Sequence, residues 1–333
     1  MNNQKKQYIF ITCITVFTFF GIFLGCILGP SAISLKEFFY VLIGSGESNH
    51  ALIIYEVRLP RILCAYIVGF ALGISGAALQ GLLRNPLAEP GVLGVSSSAT
   101  LTATFVLYYG ISANNVFILP VASISGAMIA TAIIIFAALR VRSTVTLILI
   151  GVGISSLSGA IMSVLLNFAP NPFFFFDLTN WMLGSVANRS INDLFLSFPF
   201  ILAGILILNS IKQQYSLLNL GEETAISMGL NINKLRILTV IACGIATGGA
   251  VSIAGIIGFV GLITPHIVRP FVNYDASRSI IPSGAVAGTF LIYADVLAKN
   301  IPSEIELKLG VITAIIGAPV FIWVSLRRHK IYD

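Results

Sequence analysis

Apolar residues run through this chain in long unbroken blocks, and polar positions collect in the short gaps between them. A block of about 20 apolar residues is the length that carries a helix across the hydrocarbon core of a bilayer. Clear blocks cover 8–29, 61–82, 93–109, 116–139, 145–168, 194–211, 279–297 and 308–326. One further stretch, 237–272, is apolar but punctuated by Gly244, Gly248, Gly249, Gly255, Gly258 and Gly261. Hydropathy alone leaves open whether it crosses once or twice. Lipid offers no partner for backbone N–H and C=O groups, so blocks of this kind are helical. The predicted fold class is an all-α integral membrane protein, a single transmembrane domain over 1–333.

Charge decides the crossing number, because loops on the cytoplasmic side carry the excess of Lys and Arg. With two crossings in 237–272 there are ten spans and both termini are cytoplasmic. Thirteen of the 19 basic residues then lie inside: Lys5, Lys6, Arg84, Arg140, Arg142, Lys212, Lys234, Arg236, Arg269, Arg278, Arg327, Arg328 and Lys330. Six lie outside. A single crossing inverts everything after it and leaves 10 against 9, almost no bias. Ten spans is the expectation.

Composition agrees with a lipid environment. Charged residues make up 10% of the chain and apolar residues 57%, with a mean hydropathy of +0.96; a soluble domain carries about 25% charged residues. The net charge of +6 therefore reflects loop placement and not nucleic-acid binding. Cys13, Cys26, Cys64 and Cys243 sit inside apolar blocks without metal-type spacing, as small core residues do. The first block is too long for the 7–15-residue core of a signal peptide and reads as an uncleaved helix. Small residues crowd the spans, among them Gly69, Gly73 and Gly76, and let helix backbones approach closely. The longest external loop, 169–193, holds Pro170, Pro172, Phe173 to Phe176 and Trp181. Those aromatics read as an interfacial belt or as a gate.

Several chemistries have no sequence support. No GxxxxGK[ST] phosphate loop is present, so ATP hydrolysis by that route needs another polypeptide. His50, His266 and His329 are scattered, and no metal site or resident cofactor is predicted. Asp295 is the one carboxylate inside the apolar blocks, which speaks against a proton-relay carrier or an intramembrane enzyme.

The connection 212–236 is the longest on the cytoplasmic side. Its centre places Glu222 and Glu223 ahead of Thr224, Ala225 and Met228, with Gly229 after them. Acids at the start and glycine at the end predict a short helix, with Ala225 and Met228 sharing a face. Membrane-surface helices are usually basic; an acidic one suits a protein partner.

Glu223-Thr224-Ala225 followed by Gly229 resembles the Glu-Ala-Ala-x-x-x-Gly coupling motif of ABC importer permeases, with Thr224 in place of the first alanine. Other stretches agree: Arg58-Leu-Pro-Arg61, the segment from Gly81 to Gly91, the segment from Gly258 to Arg269 and the segment from Gly317 to Trp323. Together they resemble the iron-siderophore, haem and cobalamin permeases, the large ten-helix type of ABC importer, over essentially the whole chain.

That resemblance implies a multi-pass protein of the bacterial cell (inner) membrane that imports a ferric siderophore or haem, with cobalamin as the alternative cargo. A self-powered secondary carrier is the reading from another class. It also implies a second permease copy or a paralogue, two ATPase subunits that bind ATP and Mg, and an external substrate-binding protein. Arg58 and Arg61 match arginines that receive carboxylates of the binding protein, and Lys299 stands where the family adds another basic residue. Their other reading is lipid headgroup anchoring. Ser143 and Thr144 match a hydroxyl pair at the family's cytoplasmic gate. From there, steps of three or four place Thr144, Ile148, Gly151, Ser155, Ser158 and Met162 on one weakly polar stripe. The stripe reads equally as a packing seam and as the wall of a path.

Overall fold

The computed structural model describes residues 3–31, 33–111, 115, 117–140, 144–302 and 306–332, and every described element is helical. Helix α1 (Asn3–Ile27) leads through α2 (Leu35–Leu42) and α3 (Ser48–Leu52) into a π-helical turn, Ile53–Arg58, which continues directly as α4 (Leu59–Leu83). Next come α5 (Val95–Tyr108), α6 (Ile118–Arg140), α7 (Thr144–Asn167), α8 (Pro172–Leu183) and α9 (Ile191–Leu218). The chain ends with α10 (Glu222–Ser227), α11 (Ile232–Ala254), α12 (Val260–Val268), α13 (Ala276–Asn300) and α14 (Leu309–Tyr332).

Seven of these segments are long and apolar enough to cross a membrane: Lys5–Ile27, Ser48–Leu83, Ile118–Arg140, Thr146–Asn167, Ile191–Leu218, Ile232–Ala254 and Ala276–Asn300. Two of the other three expected spans fall short of that length. Helix α5 has 14 residues and α12 has 9, whereas α14 runs for 24, over Leu309–Tyr332. The stretch 237–272 is two helices, α11 and α12, parted by non-helical residues 255–258. At about 1.5 Å per residue, α12 covers less than half the hydrocarbon thickness.

Helices α4, α11 and α13 form the centre. Inside the protein, 78% of the apolar window is buried for α4 and for α11, and 67% for α13, against 17% for α1 and 22% for α7. Small residues make this packing possible. A Cβ on Gly73 would lie 2.4 Å from the Ser283 carbonyl oxygen of α13, and one on Gly76 would lie 1.9 Å from that of Gly261 in α12. Any larger side chain would push α4 off both neighbours.

Two expectations are corrected. The external loop 169–193 contains α8, started by Asn171, whose side chain accepts from the Phe174 N–H, and by Pro172 in the first turn. Trp181 is buried on that helix and does not stand in an interfacial belt. The cytoplasmic connection is shorter than 212–236, because α9 runs on to Leu218 and α11 begins at Ile232.

Candidate functional site

The segment between α9 and α11 is built as a rigid mount with an open outer side. Helix α10 starts at Glu222 as expected and ends in a Schellman turn. The Leu230 N–H donates to the Ala225 carbonyl at 2.9 Å, and the Gly229 N–H donates to that of Ile226 at 2.8 Å. Gly229 holds φ +88°, a left-handed conformation that glycine adopts without strain. Ala225 and Leu230 are buried in one apolar cluster with Tyr215, Leu218 and Leu235, which fixes the inner side of α10.

Ala225 and Met228 do not share a face. Ala225 is buried, whereas Met228 caps the helix end and is more than half exposed. Helical spacing stops applying once the chain leaves the helix. Leu220, Ile226 and Met228 all project outward, with Glu222, Glu223 and Thr224 beside them.

Three contacts tie this mount to the central helices. Arg236 of α11 donates from Nη2 to Glu222 Oε1 at 2.9 Å. The buried Tyr215 hydroxyl meets Thr239 Oγ1 at 2.5 Å, joining α9 to α11. Ser216 donates to Asp275 Oδ1 at 2.9 Å, and Asp275 also accepts from the Ser277 N–H as the cap of α13. Burial would raise the Asp275 carboxyl, but those hydrogen bonds outweigh it and hold it below the usual carboxylate range.

A second polar cluster, invisible in the sequence, joins the segment after α4 to α12. Glu89 places its carboxyl near the backbone N–H groups of Phe259 and Leu262, at the start of α12. A carboxylate at a helix N-terminus satisfies groups that have no partner in the helix itself. Gln80 donates from Nε2 to the Leu262 carbonyl at 3.1 Å and accepts from Arg269 Nη2 at 2.8 Å. His266 Nε2 lies 3.1 Å from the Pro86 carbonyl oxygen, a structural contact.

The other pole concerns Arg58, Arg61 and Lys299. The structure does not leave them as surface anchors. Arg58 is buried and donates from Nη1 to the Cys26 and Ile27 carbonyls at 2.6 and 2.7 Å, and from Nη2 to that of Ser31. Lys299 is buried too, and donates to the Gly25 carbonyl at 2.6 Å. With the Leu28 N–H on the Leu24 carbonyl, the last four carbonyls of α1 are all satisfied. Arg61 donates to both oxygens of Asp295 at 2.8–3.0 Å, and its other edge meets Glu306. Only this pair opens toward solvent, through the Glu306 carboxylate, whose side chain is 33% exposed.

The stripe on α7 turns inward. A Cβ on Gly151 would lie 2.6 Å from Leu93 Cα, Ser155 donates to the Gly91 carbonyl at 3.1 Å, Ser158 meets Ser98 at 3.4 Å, and Met162 is buried. From Gly151 to Met162 the stripe therefore packs against α5 and the segment before it. Thr144 opens α7, and Ser143 lies outside the described residues.

Comparison with known proteins decides what these parts compose. Residues 16–327 match the FecCD transport family. The chain belongs to that family. It is 36% identical to the ABC transporter permease protein YvrB of Bacillus subtilis, over 99% of this chain and 96% of that protein. It is 33% identical to the vitamin B12 import system permease protein BtuC of Vibrio cholerae, over 98% and 95%. A solved inward-facing ABC transporter assigned to the metal-chelate type superposes with a TM-score of 0.86 at 28% identity, covering 96% of this chain and 99% of that one. The protein is thus a multi-pass ABC importer permease of the cell membrane, the family that the coupling motif pointed to.

Within this FecCD permease, several polar residues escape sequence reading. Glu89 and Gln80 act through backbone groups of α12, which leave no trace in the sequence. Arg61 with Asp295 had a usable signal: a buried acid in an apolar block needs a cation.

Proposed function

We propose that this chain is the membrane half of an ATP-driven metal-chelate importer, with a ferric siderophore or haem as cargo. The observation that carries this is α10, fixed on its inner side and presenting Leu220, Ile226 and Met228 outward beside Glu223. Apolar side chains on an acidic segment, away from the long spans, suit a groove in a partner ATPase. Hydrolysis there pushes α10, and the Glu222–Arg236, Tyr215–Thr239 and Ser216–Asp275 contacts pass the movement to α11 and α13. The chain crosses ten times, with α5 and α12 as short crossings and both termini cytoplasmic. A second copy packs on the outer face of α7, and a binding protein delivers cargo to the external pole. Of the three docking candidates, Arg61 alone can exchange a carboxylate, Glu306, for one from a partner.

Cobalamin is the second reading, favoured by the vitamin B12 permeases among the relatives. Reconstitution with the ATPase subunits and binding protein tests both. ATP-dependent uptake of a labelled ferric chelate and not of cobalamin is the expected result. Uptake without ATP would instead identify a self-powered carrier.

A further inference from the structure

The six basic residues expected outside the membrane do not all have the same fate. Arg58, Arg61 and Lys299 are engaged inside the protein, and Lys36 is exposed with its ammonium 5.7 Å from the Tyr40 ring. Arg189 and Lys308 remain, and both line one cavity of about 260 Å³ with Trp181, Ser185, Asn188 and Gly255. Neither has an acid within 4.0 Å of its charge among the described residues. Asp193, four residues from Arg189, is occupied by the Ser190 N–H and hydroxyl at 2.8 Å.

The guanidinium is held in place. Arg189 lies 5.6 Å from the centre of the Trp181 ring, a cation–π contact. Its Nε is buried without a hydrogen-bond partner, a donor that a native interior rarely leaves unmet. The three segments around the cavity are locked together through their backbones. Ser185 N–H donates to Ala254 at 2.8 Å, Ile256 N–H to Trp181 at 3.3 Å, and Gly310 N–H to Gly184 at 3.2 Å. Gly184, Gly255 and Gly310 allow that approach, since a Cβ on each would lie 2.1–2.3 Å from a facing carbonyl oxygen.

We infer that this cavity is a carboxylate-binding site at the outer mouth of the permease, taking one anionic arm of a transported metal chelate. Arg189 and Lys308 line the same cavity, and a planar guanidinium with a second cation matches a carboxylate, while the Trp181 face suits the organic scaffold that bears it. Cargo of several hundred Å³ would enter by that arm alone, so the site orients the chelate without trapping it. The assignment to transport rests on the importer reading; the binding itself does not.

Trp181 and Trp323 are the two tryptophans of the chain, so Trp323→Phe leaves Trp181 as a reporter. In the full chain in nanodiscs, citrate should change its emission saturably. Arg189→Gln with Lys308→Gln should weaken that response at least tenfold, and Arg189→Lys should retain part of it, which excludes misfolding. No saturable response to citrate, an equal one to inorganic phosphate, or an unchanged one in the double variant would overturn the site. In the reconstituted importer, the double variant should lose uptake of carboxylate-bearing ferric chelates at least tenfold relative to neutral ones. Equal loss for both classes would also overturn it. Failure of all ATP-driven uptake in the wild type would strike the importer reading and leave the citrate result standing.

Discussion

Arg236 and Glu222 meet at 2.9 Å across the junction between α11 and α10, so the partner-facing helix is clamped to a central one. The pair is partly exposed, with side chains 18% and 49% accessible, which places its stability contribution at about 0.2–1 kcal/mol. Its importance lies in transmission. Arg236→Gln should lower ATP-driven uptake several-fold while the protein assembles and the partner ATPase still turns over. Exchanging the two charges, Glu222→Arg with Arg236→Glu, should restore part of the loss. Uptake and ATP hydrolysis measured together check this; wild-type coupling in Arg236→Gln would remove the clamp from the mechanism.

The end of α1 yields a stability prediction. Arg58→Ala strips the Cys26 and Ile27 carbonyls of their donor, and unsatisfied buried groups cost roughly 1–3 kcal/mol each. Lys299→Met strips one carbonyl, that of Gly25, and should cost less. Thermal denaturation in detergent should therefore rank Arg58→Ala below Lys299→Met, with both below the wild type. A docking role alone would leave all three equal.

Much of this was legible in the apolar blocks and in the run from Glu222 to Gly229, because crossing length and helix termination are local rules. What was not legible depends on partners distant in sequence. Arg58 and Lys299 read in the sequence as docking residues or lipid anchors, because their acceptors are backbone carbonyls, which every residue has. Glu89 sits among prolines and asparagine and reads as exposed loop; its role appears only where residues 255–258 leave the helix and present the start of α12. The α7 stripe had the right periodicity, but periodicity does not say whether the facing surface is another helix or a path.

The Arg61 cluster predicts competition for one guanidinium edge. Glu306 meets that edge from a partly exposed position, while Asp295 is buried and fixed on the other. Glu306→Gln should strengthen binding of the external binding protein several-fold by freeing the edge, and Asp295→Asn should destabilise the permease instead. Surface plasmon resonance on nanodisc-embedded protein separates the two. Unchanged affinity in Glu306→Gln would leave the cluster as a purely structural fastener.

Helix α7 supplies the sharpest contrast, between neighbours that point about 100° apart. Ser155 donates to the Gly91 carbonyl and faces the segment before α5, whereas Ser156 is exposed, as are Val152, Gly153 and Ala160. A Cβ on Gly153 would meet nothing within 4 Å. The outer face of α7 is therefore free to meet a second copy of the chain or to line the route between two copies. Ser155→Trp overpacks a closed seam and should cost typically 1–3 kcal/mol, seen as a lower melting temperature and poor assembly. Ser156→Trp adds the same bulk where this chain has no neighbour, so the single protomer should remain folded. If that face borders the route, Ser156→Trp should abolish uptake while the complex with the ATPases persists and basal ATP hydrolysis continues. Size-exclusion chromatography, thermal denaturation and uptake on both variants resolve the assignment. A folded, fully transporting Ser156→Trp would place this face against lipid and move the route to other helices.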